Sequence, residues 1–241
     1  MSFVDNNLSQ WVDSNLLQWP ADFKEIRQIW NDDYYVYAAT AEGLDIIEID
    51  SEQQYAYITY SGGFNSVWAN DNNVYVATSD AGIKYINKTT ITGSIITPLD
   101  LINDLMNYAG YPTITSDYVR YIHGQDNLLM CCTDSGVNTL GVYGKDSMTL
   151  TPYAQKCFLS EEERLYYITA SGGVYALNRV NTPVDWTIPN KIYNVGDVVF
   201  RSGITLNDIF VDGVTIYTAT SSGIYAIDDD TENFSIYFVG A

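Results

Sequence analysis

This 241-residue sequence contains one histidine, three cysteines and only 11 basic residues against 30 acidic ones. With a single histidine, the chain cannot form a catalytic or metal site that needs two histidines. The cysteines, Cys131, Cys132 and Cys157, form no CxxC pair. Adjacent residues of a strand point to opposite faces, so we expect small core residues in a reducing compartment and no disulfide framework. No G-x-S-x-G motif and no phosphate-binding glycine loop occurs, which leaves serine and cysteine hydrolase chemistry and nucleotide binding without support.

The shortage of basic residues gives a net charge of −19. Affinity for nucleic acid comes largely from Lys and Arg that displace counterions, so nucleic acid and anionic membranes are poor partners. Cations, basic proteins or neutral glycans fit such a surface better. No window approaches the roughly 18 apolar residues of a spanning helix, and the start, "MSFVDNNLSQ", lacks a signal-peptide pattern. We therefore expect cytoplasmic synthesis and no membrane association.

Five segments repeat one pattern without a gap over the twelve residues before a threonine. The threonines, and the glycines three or four residues after them, are Thr40, Thr78, Thr133, Thr169 and Thr220, and Gly43, Gly82, Gly136, Gly173 and Gly223. Polar runs typical of tight turns precede the threonines: "NDDY", "NDNN", "GQDN", "EEER" and "VDGV". The strand between turn and threonine is apolar on both faces, which indicates a sheet packed between two neighbours.

The position ten residues before each threonine carries large side chains: Trp30, Trp68, His123, Leu159 and Phe210. Because His123 shares this position, we interpret it as a packed core histidine and not as a catalytic base. The repeated threonines have a structural interpretation too. A buried threonine beside a turn bonds backbone groups, and one active site rarely recurs five times.

A second strand follows each glycine, and a weaker fourth strand is visible in "QQYAYITY", "GSIITPL", "MTLTPY", "VDWTI" and "FSIYFV". The prediction is an all-β fold: a five-bladed β-propeller of four-stranded antiparallel blades with short helical insertions. Radial stacking covers both faces of every sheet, whereas a sandwich exposes one. The predicted blades span about residues 26–62, 63–100, 118–153, 155–188 and 205–241, after an N-terminal extension at 1–25.

The repeats "NDDYYVYAATAEGL" and "NDNNVYVATSDAG" resemble the short propeller repeat of bacterial two-component regulator propellers and, more loosely, WD40-like repeats. The shared pattern is a turn Asp or Asn, then apolar-aromatic-x-x-Thr, then x-x-Gly-apolar. The resemblance covers roughly residues 26 to 241. It implies a propeller fold, and it implies extracytoplasmic sensing for the family members that are fused to a membrane anchor and a kinase.

Three segments lie outside the repeat and are the places where function is expected. In residues 1–25, apolar residues near helical spacing predict a short amphipathic helix that ends before Pro20. Residues 100–112 predict a second helix, capped by Asp100 and stopped by Gly110 and Pro112. The third segment is 178–206. Candidate partner-binding residues in these segments are Trp11, Trp19, Leu101, Leu105, Met106 and Trp186. Alternatively, the first segment packs on its own propeller or helps to close the ring.

Acidic residues cluster in the predicted turns. The first and third turns of an up-and-down blade share one side, which predicts an acidic face and an opposite face that carries the insertions. The residues of the acidic face are Asp32, Asp33, Asp71, Asp126, Glu161, Glu162, Glu163 and Asp212 in first turns, and Asp50, Glu52, Asp146, Asp228, Asp229, Asp230 and Glu232 in third turns. Within "IDDDTENF", the alternation of Asp228, Asp230 and Glu232 suits oxygen ligation of Ca²⁺, although it does not match an EF-hand loop. A solvated turn is the alternative, and no other cofactor is predicted.

The sequence therefore predicts a non-enzymatic propeller that serves as a protein interaction module or as a structural component of a larger assembly. A virion neck, tail or fibre protein is one such setting, by association only. The first alternative is a glycan- or small-ligand-binding propeller, lectin-like or sensor-like. The second is a carboxylate glycosidase, which needs two carboxylates about 5–9.5 Å apart in the central channel.

Overall fold

The structure is a computed structural model that describes residues 25–91, 95–96, 103–104, 116–125, 128–141, 144–149, 154–160, 164–169, 172–181, 185–186, 190–194, 205–228 and 234–238. Within these ranges the only helical element is a 3-10 turn at Lys88–Thr90. The same ranges hold no helix of the length and apolar character that would cross a membrane. The described chain is otherwise strands and turns, which confirms the all-β class.

The strands, in chain order, are β1 (Ile26–Asn31), β2 (Tyr35–Thr40), β3 (Gly43–Glu48), β4 (Gln53–Thr59), β5 (Ser66–Ala69), β6 (Asn73–Ala77), β7 (Ile83–Asn87), β8 (Ile95–Ile96), β9 (Asn103–Asp104), β10 (Val119–Gln125), β11 (Leu128–Thr133), β12 (Gly136–Gly141), β13 (Gly144–Thr149), β14 (Ala154–Leu159), β15 (Arg164–Thr169), β16 (Gly173–Asn181), β17 (Asp185–Trp186), β18 (Asn190–Asn194), β19 (Leu206–Asp212), β20 (Thr215–Thr220), β21 (Gly223–Asp228) and β22 (Phe234–Phe238).

These strands form five small sheets. In chain order, sheet 1 is β1-β2-β3-β4-β8, sheet 2 is β5-β6-β7-β9, sheet 3 is β10-β11-β12-β13, sheet 4 is β14-β15-β16-β17 with β18 also on β16, and sheet 5 is β19-β20-β21-β22. Every pairing is antiparallel except that of β4 with β8. Among the described strands, none of sheet 5 pairs with one of sheet 1. Within the described residues, sheet 2 has three full strands and a two-residue fourth strand, so four full strands are not seen in every sheet.

The hairpin turns between first and second strands follow from Asx chemistry. Asp32 Oδ1 accepts hydrogen bonds from the backbone N–H groups of Tyr34 and Tyr35, both at 2.8 Å. Asn70 does the same in sheet 2, accepting from Asn72 and Asn73 at 3.1 and 2.9 Å. A short acceptor side chain at the first turn position closes the reversal before the second strand begins. The polar runs "NDDY" and "NDNN" are therefore turns, as predicted.

Asp32 also joins two sheets. Its Oδ2 accepts from Tyr37 Oη at 2.8 Å and pairs with Lys88 Nζ at 2.6 Å. Desolvation raises the pKa of Asp32, but the hydrogen bonds from Lys88, Tyr34, Tyr37 and Tyr35 outweigh it and hold the pKa below its usual value. Lys88 follows the third strand of sheet 2, so a first turn and a third turn lie side by side, as predicted. The acidic face as a whole stays a prediction, because Asp126, Glu161–Glu163 and Asp229–Glu232 lie outside the described residues.

The five repeated threonines make the same contacts in all five sheets. Each Oγ1 donates to the carbonyl of the glycine that opens the third strand, over 2.8–3.5 Å, and accepts from a backbone N–H within the intervening turn or from that glycine. In Thr40 both bonds involve Gly43, at 3.0 and 3.1 Å. The structural interpretation of the threonines is confirmed: each hydroxyl bonds backbone groups of the turn between the second and third strands.

Replacing Thr40 by valine is expected to lower the free energy of unfolding by about 2 kcal/mol, because the buried Gly43 N–H and C=O lose their hydroxyl partner while the side-chain volume is kept. Thr40→Ser retains the hydroxyl and should restore most of the loss. Urea denaturation followed by tryptophan fluorescence measures both variants. A Thr40→Val protein as stable as the unaltered chain, with the loss appearing in Thr40→Ser, would show that the methyl group, and not the hydroxyl, carries the stability.

The described residues form four hydrophobic cores, each between two consecutive sheets. The core between sheets 1 and 2 contains Tyr37 and Phe64, both fully buried. The core between sheets 2 and 3 is centred on Trp68 and Ile122. Sheets 3 and 4 meet around Met130, Cys132 and Cys157, and sheets 4 and 5 around Tyr166, Ile209 and Ile216. Both faces of sheets 2, 3 and 4 are therefore covered, as predicted, and all three cysteines are free and buried, as expected.

Two predictions about outer strands are wrong. The segment "GSIITPL" supplies β8, which pairs in parallel with β4 of sheet 1 and not with sheet 2. The fourth strand of sheet 2 is Asn103–Asp104, paired with Tyr85 and Lys84, inside the segment predicted as a helix. The local sequence favours a helix there, but the edge strand β7 has backbone groups that need partners. Pairing with β7 satisfies those groups, which a helix would not do. The remainder of residues 100–112 and the predicted helix in residues 1–25 lie outside the described residues.

Candidate functional site

One side chain from each first strand occupies the same register position and points to a common centre. In each sheet, this residue pairs with the second-strand residue that lies three positions before the repeat threonine. The pairs are Trp30 with Tyr37, Trp68 with Tyr75, His123 with Met130, Phe158 with Tyr166 and Phe210 with Tyr217. All five first-strand residues carry rings. We call this set the aromatic cluster.

The structure corrects the gapless alignment at one position, because Phe158 and not Leu159 belongs to the cluster. In sheet 4 the last pair before the turn, Leu159 with Leu165, is separated by residues 160–164, whereas Asn31 and Val36 in sheet 1 are separated by 32–35. The extra turn residue moves the first strand by one position, which reverses its faces. Leu159 is instead buried in the core between sheets 3 and 4. The longer polar run "SEEER" was the signal available in the sequence.

The rings contact one another in series across the five sheets. The centroid of Trp30 lies 6.4 Å from that of Trp68 and 5.6 Å from that of His123. His123 lies 4.4 Å from Phe158, and Phe158 lies 5.3 Å from Phe210. Tilted and edge-on pairs at these separations are favourable arrangements of aromatic rings. The cluster therefore forms a continuous apolar floor.

His123 is the centre of this floor and is only 5% exposed. Its Nδ1 accepts a hydrogen bond from the backbone N–H of Leu159 at 3.2 Å, which ties sheet 3 to sheet 4. Burial lowers the pKa of His123 to about 4, so the ring is neutral at neutral pH. The interpretation of His123 as a packed core histidine is confirmed.

A cleft of about 1290 Å³ opens above the aromatic cluster, and residues of all five first strands line it. We call it the central cleft. Its polar lining comes from first-strand residues and first turns: Arg27, Gln28, Asn70, Asp71, Asn72, Gln125, Lys156, Ser160, Asp208 and Asp212. A concave site with an apolar floor and a few polar groups is the usual form of a ligand or partner site.

Several polar groups of the cleft are already engaged in holding the sheets together. Arg27 Nη1 donates to Asn65 Oδ1 at 2.9 Å, and Gln28 Oε1 accepts from the backbone N–H of Val67 at 2.8 Å. Lys156 Nζ lies 3.8 Å from Asp208 Oδ1 and 4.2 Å from the ring centre of Tyr121. These contacts organise the wall, while Asp71 and Asp212 give its rim an acidic character.

None of the residues predicted as sites from the sequence is among the described residues that line this cleft. Trp11, Trp19, Leu101, Leu105, Met106, Asp230 and Glu232 are outside the described residues. The backbones of Asp228 and Trp186 are described, at the end of β21 and in β17. Within the ranges that the structure covers, no group of three potential metal ligands occurs. The calcium site and the partner-binding residues therefore stay predictions. The sequence pattern favoured the segments between the repeats as functional, whereas rings within the repeats form the floor of the cleft.

Comparison with known proteins agrees with this architecture. No family model matches the chain, and no curated protein matches its sequence. Among solved structures, the extracellular domain of a B. thetaiotaomicron protein described as a hybrid two component system superposes with a TM-score of 0.67 at 14% identity, over 88% of this chain and 29% of that chain. The Swd1 β-propeller domain of Myceliophteria thermophila also gives a TM-score of 0.67, at 12% identity, over 90% of this chain and 73% of that chain.

This likeness shows a β-propeller fold and confirms the resemblance read from the repeats. The chain spans less than a third of the length of the B. thetaiotaomicron chain.

Proposed function

We propose that the five sheets are the blades of a five-bladed β-propeller, and that the protein is a non-enzymatic interaction module that binds a protein partner at the central cleft. The observation that carries this proposal is the cleft itself: all five first strands line a single opening. Its volume of about 1290 Å³ exceeds the roughly 300–1,000 Å³ of most small-molecule pockets. The cleft therefore suits a segment of a macromolecule better than a metabolite.

The negative charge of this chain favours a partner whose bound segment is basic. Asp71 and Asp212 lie at the rim, and the whole chain carries a net charge of −19. Complementary charge steers encounters and selects against wrong partners. The half-exposed Phe210 supplies an apolar contact at the floor.

The non-enzymatic part of the proposal rests on the chemistry that the cleft offers. Its only histidine is buried, already accepts a hydrogen bond from Leu159, and is neutral at neutral pH. Asp208 accepts from the backbone N–H of Ile209 at 2.9 Å and lies near Lys156, so it holds the wall together. A carboxylate glycosidase would draw its acid pair from the lining carboxylates Asp71, Asp208 and Asp212, and hydrolysis of a panel of glycosides by the purified protein would overturn the proposal.

The test compares two doubly substituted proteins with the same change of charge. Asp71→Arg with Asp212→Arg alters the rim, whereas Asp33→Arg with Asp50→Arg alters exposed acids outside the cleft. In affinity capture from the source organism with quantitative mass spectrometry, we expect the control to retain the proteins bound by the unaltered chain and the rim variant to lose them by about tenfold or more. Equal capture by the two variants would contradict binding at the cleft.

Glycan binding is the second candidate, because amide side chains of Gln28, Asn72 and Gln125 line the cleft above the rings of the cluster. A glycan ligand would raise the melting temperature of the unaltered protein in a soluble glycan panel. No shift across a broad panel would count against it. The virion setting is a separate proposal, and a gene neighbourhood of virion genes would support it.

A further inference from the structure

Each of the four cores lies between one sheet and the next along the chain. The first strand of the later sheet contributes a residue to the core, always from the same register position. These residues are Val67, Ile122, Cys157 and Ile209, and all are 4% exposed or less. The residue at the same position in sheet 1 is Ile29, which pairs with Ala38 as Val67 pairs with Val76. Ile29 is 54% exposed.

Each core also uses a residue of the preceding sheet, directly after the repeat glycine. These residues are Leu44, Ile83, Val137 and Val174, and all are 2% exposed or less. Their counterpart in sheet 5 is Ile224, which is 43% exposed. The two exceptions, Ile29 and Ile224, belong to the two sheets that would meet where the ring closes.

Ile26, Ile29 and Ile224 all line the central cleft, and each is at least 43% exposed. The cleft therefore extends sideways into an apolar groove between sheets 5 and 1, which we call the seam. A seam of three large apolar side chains costs free energy when it is wet, about 25 cal/mol per Å² of apolar surface. Among the described residues, the repeat pattern lacks a fifth core at this place.

We propose that the N-terminal segment, residues 1–24, packs into the seam and supplies the missing core. The segment is continuous with β1, the seam strand of sheet 1. The start of that strand is fixed, because the Glu25 carbonyl accepts from the Ala41 N–H at 2.9 Å. Its tether therefore gives the segment a high effective concentration at the seam.

Size and composition fit a single packed element. The segment contains Leu8, Trp11, Val12, Leu16 and Trp19 at near-helical spacing. A helix from Leu8 to Trp19 is about 18 Å long at 1.5 Å per residue, close to the roughly 20 Å of the six-residue strand β1 at 3.3 Å per residue. The closest repeat spacing, 36 residues from Thr133 to Thr169 (169 − 133), shows that 24 residues are too few for another complete sheet.

A second copy of the chain is a poorer occupant. Two molecules would bring net charges of −19 together at a cleft whose rim carries Asp71 and Asp212, and like charges oppose association. The N-terminal segment faces no such barrier to association, because it is already part of the chain. Trp11 and Trp19, predicted above as partner-binding, then become part of the protein's own core.

The test measures alkylation of single introduced cysteines in the full-length protein. Ile224→Cys lies in the seam, and Val214→Cys is the matched control, because Val214 is also 43% exposed but does not line the cleft. The three native cysteines are buried and serve as an internal marker of folding. With N-ethylmaleimide and mass spectrometry, we expect Ile224→Cys to react at least about tenfold more slowly than Val214→Cys, as protected sites do.

Adding Trp11→Ser and Trp19→Ser should raise the rate of Ile224→Cys to that of the control and leave Val214→Cys unchanged. Equal rates in the proteins with the natural N-terminal segment would overturn the proposal, because the seam would be open. Slow reaction that persists after both tryptophans are replaced would also overturn it, since sheet 5 would then close on sheet 1 directly. Protection that depends on protein concentration would assign the seam to a second copy. None of these readings depends on the partner of the central cleft.

Discussion

Replacing Gly43 by alanine is expected to destabilise the protein by about 4 kcal/mol or more, a large part of the 5–15 kcal/mol typical of a folded protein. Gly43 opens β3 opposite Thr59, against the outer strand β4. A Cβ built on Gly43 lies 1.9 Å from the carbonyl oxygen of Ile58 and 3.0 Å from Cα of Thr59. Both are backbone atoms of the paired strand, so relief of the clash requires the two strands to separate. The Thr40 contacts to Gly43 would be lost with them.

Gly213→Ala is the matched control. Gly213 also has a positive φ, +57°, but no atom lies within 4 Å of its Cβ position. The substitution should cost only the left-handed backbone penalty of about 1–2 kcal/mol. Equilibrium unfolding in urea distinguishes the two. A Gly43→Ala protein as stable as Gly213→Ala would show that β3 and β4 do not approach as closely as described.

Removing the Trp68 side chain is expected to cost about 3–5 kcal/mol, because a buried aromatic side chain leaves both a transfer loss and a cavity. Trp68 is 4% exposed in the core between sheets 2 and 3. Its ring stacks on Tyr75 at 5.5 Å. Gly124 of sheet 3 lies against the same indole, since a Cβ on Gly124 would be 2.7 Å from its ring atoms. Trp68→Ala therefore removes contacts from two sheets at once.

Phe210→Ala provides the comparison within the same cluster. Phe210 is 48% exposed, so its removal should cost about 1 kcal/mol, less than half of what a fully buried aromatic contributes. Thermal unfolding followed by circular dichroism measures both variants. A larger loss for Phe210→Ala than for Trp68→Ala would contradict the burial described for the cluster.

The sequence predicted the turn, threonine and glycine contacts of the repeat well, because these contacts are local. Thr40 and Gly43, or Asp32 and its turn, are only a few residues apart, so type and spacing determine their hydrogen bonds. The double-sided burial of the second strands in sheets 3 and 4 followed from their apolar pattern. The contacts that were predicted correctly are therefore those between residues close together in the sequence.

Long-range pairing was harder to predict. The strand Ile95–Ile96 follows sheet 2 in the chain but pairs with sheet 1, and no local signal separates these two edges. One extra turn residue in the run "SEEER" places Phe158, and not Leu159, in the aromatic cluster, as the register of β14 on β15 shows. The central cleft depends on five such registers together, which explains why it was found only in the structure.

The only histidine gives the most direct test of the central claim that the five first strands meet at one aromatic cluster. The protein is labelled with ¹³C-histidine, so one ring signal reports His123. We predict a signal shifted by the rings of Trp30 and Phe158, which lie 5.6 and 4.4 Å away. It should not titrate until the pH approaches about 4.

The stability of the protein should also depend on the protonation of His123. The unfolded histidine binds a proton near pH 6.5 and the folded one only near pH 4, so the free energy of unfolding falls as the pH drops through this interval. An unshifted signal that titrates near pH 6.5 in the folded protein would contradict the account, because His123 would then be in water and the five strands would not share a centre.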